Sequence, residues 1–119
     1  RSVYGSHPDH LAAGEAAMCA VYPDARNPFA HPELLAQEGL EAHTVSEVWV
    51  MSPNDRAEHY VDVTEVFDRK ITALTAHTSQ TAHMTDLDER MRGGGAAQAA
   101  AAGLPEGRLA EGFVVLNTR

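Results

Sequence analysis

The chain reads as an α/β domain, and three observations predict this. Short apolar runs with β-branched and aromatic residues alternate with stretches of helical periodicity. At 119 residues the chain has the length of one domain with a modest core. Aromatics make up only 6% while alanine is abundant, which favours close helix packing within an ordinary hydrophobic fraction of 44%. No repeat or linker divides the sequence, so residues 1–119 are expected to form a single domain.

The first helix is expected over residues 8–22. Pro8 suits the first helical position, where its fixed φ helps and its missing N–H costs nothing, and Ser6 or His7 can cap it. Leu11, Met18, Val21 and Tyr22 form its expected buried stripe, with Ala12, Ala16 and Ala17 permitting close approach. Pro23 and Arg26-Asn27-Pro28 end it. Cys19, within this helix, is expected as a small buried hydrophobe; a lone cysteine excludes an internal disulfide. Residues 32–38 read as a short helix stopped by Gly39.

Val48-Trp49-Val50-Met51, bounded by Ser52-Pro53-Asn54-Asp55, reads as a buried strand with Trp49 in the core. Residues 59–63 alternate and read as a second strand. Thr64 is then a good N-cap, with Glu65 in the first turn and Phe67, Ile71, Leu74 and Thr78 at helical spacing to about Gln80. Another helix begins at Asp86–Arg92 and is interrupted at Gly93-Gly94-Gly95, where helix formation is costly. It resumes over residues 96–102 and stops at Gly103 and Pro105. Phe113-Val114-Val115-Leu116 is the last strand.

Charge narrows the function classes. Seventeen acids against nine Lys and Arg give a net charge of −8, unsuited to nucleic acid and favourable to solubility. No apolar run approaches the ~20 residues that span a bilayer. The triple glycine neither follows a strand nor precedes the Lys-Ser/Thr of a phosphate loop.

The densest chemistry lies at His7-Pro8-Asp9-His10. With a helix starting near Pro8, His7 and His10 stand one turn apart, and the exposed N–H groups there favour anions. Imidazoles for a metal beside N–H donors for an oxyanion suit metal-assisted hydrolysis. None of the seven histidines forms a His-Glu-x-x-His pair, and one cysteine excludes a Cys-rich site. A catalytic zinc takes three protein ligands and a water. His7, Asp9 and His10 therefore read as part of a site completed from elsewhere; the blander reading is a helix cap with surface histidines. His77, near a helix C-terminus, is a second candidate, with a capping or packing role as its alternative. His31, His43, His59 and His83 read as surface or packing residues.

Ser6-His7-Pro8-Asp9-His10-Leu11-Ala12-Ala13-Gly14 resembles the second motif of the LmbE-like, or PIG-L, family of zinc-dependent deacetylases. Asp62-Val63-Thr64, Lys70, Ala73-Leu74 and His77-Thr78-Ser79-Gln80 are similar to that family's later pattern, and Ala110-Glu111-Gly112-Phe113 to its closing segment. The earlier family motif, Ala-His-Pro-Asp-Asp-Glu, which supplies two zinc ligands and the catalytic base, has no counterpart here. The chain thus resembles the C-terminal half of such an enzyme.

That resemblance implies a Rossmann-like, three-layer sandwich with a parallel sheet, of which this is the later portion. It implies one zinc ion with His10 as a ligand, and His7, protonated, as the group that stabilises the tetrahedral oxyanion. Asp9 would orient or charge an imidazole, and His77 and Tyr4 would lie near the substrate. The implied reaction removes an acetyl or related acyl group from an N-acylated amino sugar or its conjugate, in a bacterial-type cytoplasm. The implied partner is the N-terminal half of the same enzyme or a self-associating copy; a non-catalytic metal-binding or interaction module of the same descent is the alternative.

Overall fold

A computed structural model describes residues 7–51 and 56–119. Tyr4 and Ser6 lie outside the described residues. The chain divides into two compact units, Arg1–Val48 with Leu116–Arg119 and Trp49–Val115.

The first unit opens with helix α1, Pro8–Val21. Pro8 occupies its first turn and His7 its N-cap, with extended φ −61° and ψ 140°. Tyr22 closes the helix, its N–H donating to the Met18 carbonyl at 2.9 Å, and the Tyr22–Pro23 peptide is cis. The expected buried stripe is not buried. No residue of α1 is buried, Tyr22 is 58% exposed, and Cys19 is exposed too. Leu11, Met18, Val21 and Tyr22 share a side of the helix by spacing, but among the described residues no layer covers that side.

Helix α2, Pro32–Glu38, ends as its sequence predicts. Gly39 takes φ +68°, its N–H bonds Leu35 O, and the Leu40 N–H reaches back to Leu34 O, satisfying carbonyls that a helix end leaves open. The unit is tied by backbone bonds from His43 N–H to Ala25 O (2.7 Å) and from Thr118 N–H to Ser46 O (3.1 Å). The Arg26 guanidinium also donates to the Thr118 carbonyl, and the Thr118 hydroxyl to Val45 O.

The three-stranded sheet has the order β1-β3-β2, with β1 Glu47–Met51, β2 His59–Asp62 and β3 Ala110–Asn117. All three strands fall where the sequence places them. The expected parallel pairing is not what β2 and β3 adopt: they are antiparallel, with His59 opposite Phe113 and Asp62 opposite Ala110. Between them run helices α3 (Phe67–Thr75), α4 (Thr78–Thr81) and α5 (Leu87–Ala101). A parallel pair needs one helix to carry the chain back across the sheet. Here an excursion with two main helices starts at Asp62 and returns beside it, so β3 runs the other way. The architecture is mixed α/β with a small sheet.

The helix expected through Gln80 breaks at Ala76-His77, giving α3 and the single turn α4. Conversely, α5 runs unbroken through Gly93-Gly94-Gly95. Gly95 explains why: a Cβ there would lie 3.0 Å from Phe67 Cε2 and 3.4 Å from Leu109 Cβ. The helix accepts the glycine penalty in exchange for close approach to the core. That core comprises Phe67, Leu87, Ala99, Leu109 and Ala110, with Phe67 only 1% exposed. Trp49 is not part of it. It is 45% exposed, edge-on to His59 (4.5 Å between centroids) and tilted against Phe113 (5.5 Å).

Candidate functional site

The first turn of α1 carries the strongest candidate. His7 caps the helix through its own ring: Nδ1 accepts the Asp9 backbone N–H at 3.2 Å. A ring nitrogen that accepts an N–H holds its lone pair there, so the ring proton of this tautomer sits on Nε2. The Asp9 carboxylate lies 3.6 Å from the same Nδ1, beyond hydrogen-bonding distance. Asp9 thus orients the imidazole through its main chain. The arrangement leaves Nε2 of His7 as the ring nitrogen not engaged in the cap.

His10 follows one turn on. Its ring centroid is 6.0 Å from that of His7, the planes inclined at 54°. Both rings are exposed. Neither ring nitrogen of His10 is hydrogen-bonded among the described residues, which leaves a lone pair for a ligand. A metal ion fits this donor in kind, since a neutral imidazole is a common zinc ligand. Among the described residues, no three His, Cys, Asp or Glu side chains converge. His7, Asp9 and His10 belong to the first unit, and His77 to the second.

His77 is exposed at the start of α4, and its side chain makes no cap bond. It works through its backbone: its carbonyl accepts from Gln80 N–H (2.8 Å) and Thr81 N–H (3.1 Å). The capping or packing role expected of its side chain is not what this exposed, uncapped ring performs. Tyr4 lies outside the described residues.

The later segments quoted above meet in the second unit as a clasp between β2, α3 and β3. Asp62 Oδ1 accepts both the Thr64 N–H (3.0 Å) and the Thr64 hydroxyl (2.7 Å). The Thr64 oxygen in turn accepts the Leu109 N–H at 2.9 Å. Asp62, rather than Thr64, therefore organises the turn into α3, and Thr64 begins a 3-10 turn, Thr64–Val66. Arg108 bridges Asp62 (2.7 Å) and Glu65 (3.1 Å), while Lys70 pairs with Glu111 at 2.5 Å. The two hydrogen bonds from Thr64, helped by Arg108 and partly opposed by desolvation, hold the Asp62 carboxyl below the usual carboxylate range. Sequence reasoning did not anticipate Arg108; its partner is 46 residues away, and no local pattern announces such a pair.

Elsewhere in the first unit, Asp24, His31 and Glu41 line a recess of about 240 Å³, and His31 Nδ1 stands 3.3 Å from Glu33 Oε1. These side chains do not gather into a metal-binding group. Comparison with protein-family models, with curated proteins and with solved structures gave no match for this chain.

Proposed function

We propose that this chain is the later portion of a zinc-dependent amidohydrolase with a Rossmann-like sandwich, acting on an N-acylated amino sugar or a related conjugate. The observation that carries the reading is the first turn of α1. Its His-Pro-Asp-His string holds one imidazole by a cap bond and leaves a second unspent one turn away. The order of the segments after it, from Asp62-Val63-Thr64 to Ala110-Glu111-Gly112-Phe113, supports the same family.

In this reading His10 supplies one zinc ligand, and the other ligands and the base come from a polypeptide bearing Ala-His-Pro-Asp-Asp-Glu. Zinc bound there supplies an activated water and a Lewis acid for the amide carbonyl. His7 directs its Nε2–H at the oxygen that becomes the oxyanion, and Asp9 holds that ring in place. Exposed N–H groups at the α1 start favour the same developing charge. The working compartment of this reading is a bacterial-type cytoplasm. The second reading, a non-catalytic module, is favoured by the lack of a three-donor cluster among the described residues.

The experiment combines the chain with a polypeptide carrying the first motif, adds zinc, and measures acetate released from an N-acetyl amino sugar. Release by the mixture, neither part being active alone, is the expected result. His10→Ala should abolish it and remove most of the bound zinc. A mixture that folds and binds zinc at His10 but releases no acyl group from amino-sugar substrates would favour the non-catalytic module.

A further inference from the structure

The first unit holds a second concavity that the histidine pair does not line. It is a recess of about 480 Å³, walled by Met18, Cys19, Tyr22 and Leu116 and flanked by Arg26 and Arg119. Among the described residues no Asp or Glu lines it, in a chain with 17 of them and a net charge of −8.

Both guanidiniums have donors to spare. Arg26 gives one N–H to the Thr118 carbonyl and lies 4.8 Å from the centre of the Tyr22 ring; its Nε is buried without a hydrogen-bond partner. Arg119 gives Nε and Nη2 to one neutral oxygen, Ser46 Oγ, at 3.0 and 2.6 Å. Neither pairs with a carboxylate among the described residues, whereas Lys70, Arg90, Arg92 and Arg108 each do. A guanidinium has five N–H donors in a planar fork suited to oxyanions. Two of them beside an apolar wall and an aromatic ring match a ligand with an anionic head and an apolar body.

We infer that this recess binds a small organic oxyanion, a carboxylate or phosphate monoester attached to an apolar group. The head lies between Arg26 and Arg119, and the body lies on Met18, Tyr22 and Leu116. The site stands apart from the hydrolytic reading and does not depend on it.

Cys19 is the chain's single thiol, is exposed, and lines the recess, so it reports on occupancy. The experiment measures its reaction rate with dianionic dithiobis(nitrobenzoate) and with neutral dithiodipyridine, using the whole chain at low ionic strength. Phenyl phosphate and benzoate are competing probes, and benzyl alcohol is the uncharged control. Phenyl phosphate, benzoate or both should protect Cys19 while benzyl alcohol does not; which of them protects identifies the head group. Arg119→Gln should slow the anionic reagent on the order of fivefold and leave the neutral one unchanged, an effect that salt suppresses. Arg26→Gln should do the same; if it also lowers the helical circular dichroism, Arg119→Gln alone decides. Equal protection by benzyl alcohol, or a ratio of the two rates that Arg119→Gln leaves unmoved, overturns the proposal.

Discussion

At His7 an observed cap bond and a proposed catalytic role share one ring and can be separated by substitution. Nδ1 is committed to the cap, so only Nε2–H faces outward. Serine also caps helices well but has no donor at that reach. His7→Ser should therefore leave helical content unchanged. In the two-part enzyme proposed above, it should lower kcat on the order of 10²-fold, the scale of a lost oxyanion donor, with zinc retained. Loss of zinc by atomic absorption would make His7 a ligand instead. At Asp62 the lowered carboxyl pKa makes stability depend on pH. The folded value lies below the ordinary 3.8, so the contribution is complete above that value and disappears as pH falls through the folded one. Thr64→Val removes the first of the causes, the hydroxyl bond, and should move the Asp62 carboxyl carbon titration, followed by NMR, up toward the ordinary value. It also leaves the Leu109 N–H without its acceptor, at a cost of about 1 kcal/mol in denaturant unfolding. An unmoved titration would mean that Arg108, and not Thr64, sets the shift. The His-Pro-Asp-His string was legible because capping is a local matter of adjacent residues. The Asp62–Arg108 pair was not, because it forms only once β2 and β3 lie side by side.

Among the elements, the triple glycine separates propensity from packing. Propensity alone breaks the helix there; the structure keeps it, and the reason concerns one glycine of the three. Gly93 and Gly94 have open space where a Cβ would go, while Gly95 faces Phe67 and Leu109. Gly93→Ala and Gly94→Ala should each stabilise the chain by about 0.5–1 kcal/mol, the ordinary helical gain of alanine over glycine. Gly95→Ala gains the same propensity but pushes into Phe67, which is fully enclosed and has nowhere to move. Overpacking of that kind costs about 1–3 kcal/mol, so the net effect should be destabilising. Urea midpoints of the three variants test this, and a stabilised Gly95→Ala would show that the core yields. The strands and the caps of α1 and α2 were legible in sequence for the complementary reason: proline, glycine and β-branched runs act within a few residues. The sense of β3 was not, since it depends on how many helices return the chain to the sheet.

For the whole molecule, burial is unevenly shared, and stability should follow it. Every buried residue among those described falls between Phe67 and Gly112, in the second unit. The first unit contains no fully buried side chain among its described residues and exposes Phe29, Leu35 and Leu40 along with the apolar side of α1. Periodicity predicts a buried stripe there, yet no periodicity reveals whether anything covers it. Helices draw most of their stability from packing of an apolar face, and α1 has none among the described residues. Its amides should open by local fraying, while those of α3 and α5 open only with the core. Hydrogen exchange followed by mass spectrometry should therefore show Phe67–Thr75 and Leu87–Ala101 protected roughly 100-fold or more beyond Pro8–Val21. The exposed apolar surface should also make the chain associate as its concentration rises, and sedimentation can follow this. If the chain is one portion of a two-part enzyme, a polypeptide bearing the first motif should slow exchange in α1 and leave α5 nearly unchanged. Equal protection of α1 and α5 in the chain alone would mean that α1 is already packed, and would remove the physical reason for expecting a second portion to cover it.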